Sequence, residues 1–298
     1  MMNYINKDVA ITKNKDESKA LLEGLNLIKA HSLFNQDDTI ILTPNWVNAT
    51  RPNPKEGVVV GPNTLQTLIR WLKSLNPHRI VVATGSGGGD TLDVMKKVGY
   101  NKILDEEMIE LIDYNKGPYD ELIIDSTIIK KLKINKILNK HTKLVSFTQL
   151  KQHEEATMSA AIKNVMMSIP STEEHGAPKK DLGIHDDLHD FIASMAKKVK
   201  IDLSIVSANP CMIGTGPTNG MAYHTGLVLV GNNPISTDVI GARLLGYKPQ
   251  SISYLYKLEK SGLKETDINK IKIYGLSIKE AEQEFRKVIY NKNFTVAS

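Results

Sequence analysis

The stretch VVATGSGGGDT at residues 81–91 joins an apolar, β-branched run to four glycines within five residues and a closing aspartate. The apolar run favours a β-strand, and the glycines favour a turn. The following segment, TLDVMKKVGY, has the spacing of a helix. A strand, a glycine loop and a helix in this order are typical of α/β proteins that hold an anion at the start of the helix.

Strand and helix patterns alternate along the rest of the chain. TIILTPN, TLQTLIRWLKSL and RIVVAT precede the loop, and KLVSFTQLK, EEATMSAAIKNVMMSI, DDLHDFIASMAKKV and DLSIVSANP follow it. This alternation predicts an α/β fold with mostly parallel sheets flanked by helices. Because the pattern restarts near residue 143, we expect two lobes, 1–145 with the glycine loop and 146–298, with a cleft between them. One continuous domain is the alternative.

The composition is that of an ordinary globular protein, with 298 residues, 41% hydrophobic and 24% charged. There is no run of about 18 apolar residues and no apolar signal-peptide core, so we expect a cytoplasmic protein without a membrane partner. The formal net charge is +5. The lysine cluster at 130–143 is interpreted as a solvated helix face, and nucleic acid is not an expected partner.

A single cysteine, Cys211, excludes an intramolecular disulfide and any all-cysteine metal or iron–sulfur site within one chain. No iron–sulfur cluster is therefore expected. A buried, inert thiol is favoured over a nucleophile.

The glycine loop is the first candidate for anion binding. Glycine permits close approach of the backbone to a ligand, so Gly85, Ser86, Gly87 and Gly88 are candidate binding residues. The loop matches neither the P-loop motif nor the dinucleotide-binding motif G-x-G-x-x-G. The alternative is a simple turn in which Asp90 or Thr91 caps the next helix.

Other polar residues follow predicted strands. Asn45 and Arg51 lie in a proline-rich loop, where the arginine suits a bidentate carboxylate or phosphate contact. The alternative is an ordinary surface arginine.

The segment LKQHEEATMSAAIKN supplies Lys151, His153, Lys163 and Asn164. Lysine and histidine just past a strand end suit general acid–base catalysis, so Lys151, His153 and Lys163 are candidate catalytic residues and Asn164 a candidate binding residue. A purely structural His153 is the alternative.

Histidines also suggest a divalent metal, with His153, His175 and His185 as candidate ligands. The spacing of His185 and His189 lacks the glutamate of the zinc-protease motif, because Asp186 stands in its place. A polar helix start is the alternative.

Three further candidate binding residues, Asn209, Gly216 and Asp238, lie in the second half of the chain. Asn209 and Gly216 belong to a predicted loop over 209–220. Asp238 stands in an otherwise small or apolar helix, where a charge requires a partner. A helix first-turn acid is the alternative for Asp238.

Taken in order, these segments resemble the domain-of-unknown-function family three-six-two. The resemblance spans about residues 38–275 and rests on TPNWV, RIVVATGSGGG, GIHDDLHDF, DLSIVSANPCMIGTGPTNG and NPISTDVIGARLLGY. The family typically has Pro-Lys-Leu-Lys-Thr-His where this chain has TQLKQH, so Lys151 and His153 match it. Lys163, Asn164, Gly216 and Asp238 match as well. Members often carry cysteine-rich ferredoxin segments with iron–sulfur clusters, which the single cysteine here does not allow.

A weaker similarity links NATRPNP and VVATGS to the nickel-pincer lactate racemases, which bind a nicotinate-derived nickel cofactor between two lobes. Asn48 replaces the aspartate of that pattern, and Ser86 and Gly87 replace Thr-His. This similarity implies a two-lobed α/β protein with an anion-binding cleft.

These observations predict an enzyme of unknown reaction that binds a small carboxylate or phosphate ligand, either substrate or cofactor, in a strand-end cleft. A metal or another cofactor, and assembly into a homo-oligomer, are further expectations. The alternative is a non-catalytic module that docks an iron–sulfur protein or another partner.

Overall fold

The computed structural model describes residues 6–45, 48–140, 142–176, 182–263 and 266–291. Trp46 and Val47 of the TPNWV segment, and residues 177–181 of the polar loop that follows His175, lie outside the described residues.

The described residues contain twelve strands and ten α-helices. The strands are β1 (Asp8–Lys13), β2 (Thr39–Pro44), β3 (Arg79–Thr84), β4 (Glu110–Asp113), β5 (Tyr119–Ile123), β6 (Lys131–Asn135), β7 (Lys143–His153), β8 (Thr157–Ser159), β9 (Leu203–Ile213), β10 (Met221–Tyr223), β11 (Leu227–Gly231) and β12 (Lys272–Gly275). The helices are α1 (Glu17–Leu27), α2 (Pro62–Ser74), α3 (Thr91–Val98), α4 (Tyr100–Glu106), α5 (Ala161–Ser168), α6 (Thr172–His175), α7 (Leu188–Ala196), α8 (Pro234–Leu244), α9 (Ser253–Lys260) and α10 (Ile278–Tyr290).

Ten strands form one mixed sheet. Its main path runs β12-β1-β11-β9-β7-β2-β3-β4, with β10 paired to β9 and β8 paired to β7. Five of the seven neighbouring pairs on this path are parallel. The predicted α/β fold with a mostly parallel sheet is confirmed. The sheet includes strands from both sides of residue 145, and the division into two lobes there stays a prediction.

Helices cover both faces of this sheet, since alternate strand residues feed two separate apolar cores. Ile41 belongs to one core, and its neighbours Ile40 and Leu42 belong to the other. Apolar residues of α5, α7, α8, α9 and α10 pack into the first core, and those of α1, α2, α3 and α4 into the second. This two-sided burial accounts for the nearly continuous apolar runs of the central strands.

β7 is the strand that positions the candidate residues. It lies between β9 and β2, and its Phe147 pairs with Pro44, the last residue of β2. The last six residues of β7 therefore extend past the carboxyl end of β2. Lys151 and His153 lie in this extension, where ligands of open α/β sheets commonly bind.

Three sequence-based interpretations were wrong. The lysine-rich segment 130–143 is not a helix face, because it forms β6, a 3₁₀ turn over Lys136–Asn139 and the start of β7. The segment 209–220 is not entirely a loop, because β9 continues to Ile213 and pairs with β10. The helix expected from EEATMSAAIKNVMMSI begins only at Ala161, after the short hairpin strand β8.

Candidate functional site

A cleft of about 370 Å³ opens where β2, β3 and β7 end. Eight residues proposed from the sequence line it: Asn45, Gly85, Gly87, Gly88, His153, Lys163, Asn164 and His185. Nine lining residues were not foreseen: Asn48, Thr84, Glu154, Glu155, Ser159, Met167, Ser168, Pro217 and Thr218. Thr84 ends β3, so the strand-end rule could have found this position as well.

The glycine loop is held by polar contacts from both sides. The Asp90 carboxylate caps α3 by accepting the backbone N–H groups of Leu92 and Asp93, at 2.9 and 3.1 Å. The Asn115 amide donates to the backbone carbonyl of Ser86 at 2.9 Å. Of the two caps that the alternative interpretation left open, Asp90 and Thr91, the structure has Asp90. The glycine loop before it also forms a wall of the cleft.

Gly85 allows the loop to approach the end of α5. A Cβ atom at this position would lie 2.5 Å from the Ser168 carbonyl oxygen, whereas at Gly87 it would meet no atom within 4 Å. Gly85 is therefore required for packing, and Gly87 leaves room in the cleft.

Lys163 is the central cation of the cleft. It lies in the first turns of α5, and only 6% of its surface is exposed. Within the described part of the chain, no hydrogen bond or ion pair reaches its Nζ. Burial lowers the pKa of Lys163 to about 8, against the opposing effect of the Glu155 carboxylate.

Lys151 is fully buried and does not line the cleft. Its Nζ donates to the backbone carbonyl oxygens of Val58 at 2.7 Å and Pro217 at 3.4 Å. Burial, and secondly the charge of Lys163, lower the pKa of Lys151 to about 7. Two lysines with weakened basicity thus lie close enough to influence one another.

His153 has a defined tautomer. Its Nδ1 accepts hydrogen bonds from the backbone N–H groups of Glu155 and Ala156, at 3.2 and 3.1 Å. An atom that accepts from two N–H groups carries no proton, so the proton of the neutral ring resides on Nε2. Burial, and then the charges of Lys163 and Lys151, hold the pKa of His153 far below its usual range. The ring therefore offers a hydrogen-bond donor to the cleft and is a poor proton acceptor.

The orientation of the Asn45 and Asn164 side-chain amides is fixed, because each donates a hydrogen bond to a backbone carbonyl oxygen. Asn45 Nδ2 donates to the Val58 carbonyl at 3.2 Å, and Asn164 Nδ2 donates to the Thr43 carbonyl at 3.0 Å. A carbonyl oxygen only accepts hydrogen bonds, so the nitrogen of each amide must face it. The amide oxygens are the atoms left for the cleft, where they suit a ligand hydroxyl or amine hydrogen.

His185 and Glu155 form a pair at the rim of the cleft, with His185 Nδ1 2.8 Å from Glu155 Oε2. Glu155 is about half exposed. The Glu155 carboxylate thus has His185 as its hydrogen-bond partner, while its charge also acts on the pKa of Lys163.

Arg51 and Ser86 were proposed to contact an anion, and the structure places both beside the cleft lining. The Arg51 guanidinium bonds to Glu56 Oε1 at 3.0 Å and to the carbonyl oxygens of Thr218 and Gly220, at 3.0 and 2.8 Å. Its visible role is to join two loops, one of which brings Thr218 to the cleft. Ser86 is fully buried, and its Oγ accepts the backbone N–H of Gly88. Anion contacts by these two residues stay predictions.

Asp238 is fully buried on α8 and does not line the cleft. Its carboxylate accepts the backbone N–H groups of Ala161 and Ile162, at 2.8 and 3.3 Å, and the Tyr254 hydroxyl at 2.9 Å. A charge in this apolar helix was expected to need a partner, and the structure shows that its partner is the N-terminus of α5. Burial raises the pKa of Asp238 to about 7.

The other candidate binding residues in the second half of the chain do not line the cleft. Asn209 accepts the Gly226 N–H at 3.2 Å and donates to the Lys15 carbonyl at 3.4 Å. Gly216 has no space for a side chain, because a Cβ atom there would lie 1.9 Å from the Gln152 carbonyl oxygen. Cys211 is buried, as expected, and burial raises the pKa of its thiol to about 12.

The proposed metal ligands do not assemble into one set. His175 Nε2 accepts the backbone N–H of Lys133 at 2.9 Å and is not part of the cleft lining, in contrast to His153 and His185. Across the described ranges, no group of three or more His, Cys, Asp or Glu side chains is suited to hold a metal ion. The residues present therefore do not fit a three-histidine site, and metal binding stays a prediction.

The family model described as Domain of unknown function (DUF362) matches residues 40–243, more than half of the chain. The chain belongs to this family, which confirms the family resemblance of its motifs. All the cleft-lining residues fall within the matched range.

One curated relative is the thylakoid-associated protein sll1697 of Synechocystis sp. It is 22% identical over 232 residues, which cover 77% of this chain and 70% of the relative. The helices within the described ranges are too short or too polar to cross a bilayer. The cytoplasmic location stays a prediction.

Among solved structures, the lactate racemase apoprotein of Thermoanaerobacterium thermosaccharolyticum matches with a TM-score of 0.46 and 17% identity. The match covers 79% of this chain but only 57% of the racemase, so this chain spans less than two thirds of that protein's length. This is the protein class to which NATRPNP and VVATGS showed the weaker similarity.

Proposed function

We propose that this member of the DUF362 family is an enzyme that binds a small carboxylate or phosphate ligand in the cleft, with Lys163 as its principal cation. The observation that carries the proposal is the isolation of Lys163, which is nearly buried and has no partner for its Nζ within the described residues. A buried ammonium group is costly unless it is paired, and a bound anion would be that pair.

The polar side chains that line the cleft with Lys163 supply the rest of the ligand contacts. The His153 ring supplies a donor, and the amide oxygens of Asn45 and Asn164 supply acceptors. This combination suits an anion that also carries a hydroxyl or amine hydrogen. A cleft of about 370 Å³ has the size range of small-molecule sites.

Acid–base chemistry at Lys163 supports an enzyme rather than a passive binding module. A group with a pKa of about 8 exchanges protons readily near neutral pH, which is the property required of a catalytic acid or base. His153, in contrast, is assigned a fixed role as a neutral donor. Of the three catalytic candidates, Lys163 alone combines a place in the cleft lining with basicity near neutral pH.

The test is a thermal-shift and calorimetric screen of the purified chain with inorganic phosphate, acetate, glycolate and citrate, with acetamide as an uncharged control. We expect at least one anion to stabilise the protein, and Lys163→Met to weaken its binding by about tenfold to a hundredfold, as for the loss of a charged hydrogen bond. Lys96→Met, a change of an exposed lysine on α3, is the matched control and should bind normally.

Catalysis is tested on the carboxylate that binds best, by following its carbon-bound hydrogens by NMR in D₂O. Exchange or conversion that disappears in Lys163→Met would support an enzyme. Unchanged binding of every anion in Lys163→Met would refute the assignment of the lysine. Stable capture of a protein partner, with no stabilising anion, would favour the docking module instead.

A further inference from the structure

Lys163 is more than a suitable counter-ion, because an amine without a hydrogen-bond partner is also a potential nucleophile. We propose that Lys163 forms an imine with a carbonyl group of the bound anion, which makes small 2-oxo or aldehyde carboxylates the ligand class of the cleft. This inference rests on the proposed function, since it uses the same cleft and the same lysine.

The surroundings of Lys163 leave its nitrogen available. A lysine paired with a carboxylate is held protonated, yet the nearby carboxylate of Glu155 is engaged by His185 at 2.8 Å. The side chain projects from a helix whose first N–H groups are bound by Asp238, so its backbone is fixed. Burial excludes bulk water, which favours the dehydration that completes an imine.

The lowered pKa of Lys163 also makes its amine more available as a nucleophile. With a pKa of about 8, about a tenth of the side chains carry a neutral amine at pH 7. An unperturbed lysine, with a pKa of about 10.4, has less than about a thousandth in that form. Desolvation of a lysine in this way is a recognised route to an amine nucleophile.

Lys151 has the lower pKa of the two lysines, but its nitrogen is not placed to attack a ligand in the cleft. Its Nζ is committed to two carbonyl oxygens, of Val58 and Pro217, and the residue does not line the cleft. Lys151 is therefore not the reactive amine, and Lys163, which lines the cleft, contributes the reactive atom.

The reaction balances without a redox partner. The Nζ lone pair attacks the carbonyl carbon as the C=O π bond breaks, and a proton passes from the nitrogen to the oxygen. The resulting carbinolamine loses its hydroxyl group and the remaining nitrogen-bound proton as water, which leaves a C=N bond. The His153 Nε2–H is a donor suited to the carbonyl oxygen as negative charge develops on it. The protonated imine then withdraws electrons from the adjacent carbon, which promotes proton loss or cleavage of a bond there.

The experiment is reductive trapping on the full chain. The protein is incubated with glyoxylate or pyruvate, sodium borohydride is added, and modified peptides are located by mass spectrometry. We expect one adduct, a carboxymethyl group from glyoxylate, on Lys163, with occupancy about tenfold or more above that of any exposed lysine. Lys96→Met should retain the adduct.

Two variants separate the imine from simple anion binding. Lys163→Met should lose both the adduct and the anion affinity, whereas Lys163→Arg should lose the adduct but keep affinity for acetate or phosphate. Labelling spread over exposed lysines, or unchanged in Lys163→Met, would overturn the imine. If acetate or phosphate stabilises the wild type while no adduct forms on Lys163, the imine fails and the proposed function stands. If neither anions nor carbonyl acids bind, both fail.

Discussion

Asp238, on α8, accepts a hydrogen bond at 2.8 Å from the backbone N–H of Ala161, the first residue of α5. The two residues are 77 positions apart in the chain. Since α5 carries Lys163 and Asn164, this contact fixes the helix that supplies the central cation of the cleft.

Replacing Asp238 should destabilise the fold strongly. Asp238→Ala leaves the N–H groups of Ala161 and Ile162 and the Tyr254 hydroxyl without their acceptor, at about 1 to 3 kcal/mol each. We expect urea denaturation to show a loss of about 3 kcal/mol or more. Tyr254→Phe, which removes one of the three contacts, should lose only about 1 kcal/mol. A change within about 0.5 kcal/mol for Asp238→Ala would contradict the positioning role.

Lys151 should make stability depend on pH. The folded state releases the Lys151 proton at a pKa of about 7, whereas the unfolded chain keeps it up to about 10.5. Between these values the unfolded state binds more protons, so the free energy of unfolding gains a contribution that rises with pH, by at most about 1.4 kcal/mol per pH unit. Below pH 7 both states are protonated and this slope vanishes.

The measurement compares the wild type with Lys151→Met in urea at pH 7, 8 and 9. The stability of the wild type relative to this variant should increase over the series. The free energy of unfolding of Lys96→Met, the surface control, should change with pH in the same way as that of the wild type. A constant difference between the wild type and Lys151→Met would show that Lys151 is protonated in the folded state throughout.

The sequence predicted the elements around the cleft better than the contacts within it. The apolar run before Gly85 and the helical spacing after Asp90 predicted β3 and α3, because both signals are local. The roles of Arg51 and Lys151 are not local. Their partners, the carbonyl oxygens of Thr218 and Val58, lie 167 and 93 positions away, and backbone carbonyls carry no sequence signal.

Strand β8 forms for a local physical reason, which the helical spacing of the segment did not reveal. Thr157 has a φ of 62°, in the left-handed region, which a β-branched residue does not adopt inside a helix. The His153 ring meanwhile binds the N–H groups of Glu155 and Ala156 and stabilises the turn before Thr157. A side chain that competes for backbone donors overrides helix propensity here.

Gly85 and Gly87 should separate packing from ligand binding. In Gly85→Ala the new methyl group meets the Ser168 carbonyl oxygen, and we expect a loss of about 1 to 3 kcal/mol in urea denaturation. In Gly87→Ala the methyl group meets no atom and enters the cleft, so stability should change by less than about 0.5 kcal/mol while anion affinity falls. Equal stabilities of the two variants would contradict the assigned role of Gly85.

His153 should not titrate in the ordinary range. Its Nδ1 already accepts two N–H groups, so a second ring proton would break both bonds. We expect its ring ¹⁵N shifts to remain those of the Nε2–H tautomer from pH 8 to pH 5, whereas histidine in a short peptide changes with a midpoint of about 6.5. His153→Ala identifies the signals, and a midpoint between pH 5 and 8 would refute the donor assignment.

The helix that carries Lys163 is constrained at both ends, by the Asp238 carboxylate at Ala161 and by the close passage of Gly85 at Ser168. The conformational entropy of these groups is therefore lost when the chain folds, and not when a ligand arrives. Selectivity in such a preorganised site depends on the shape and donor pattern of the ligand, because the protein has little freedom to adapt to a poor match. Variants that loosen either end of α5 should accordingly accept a wider range of anions, each with lower affinity.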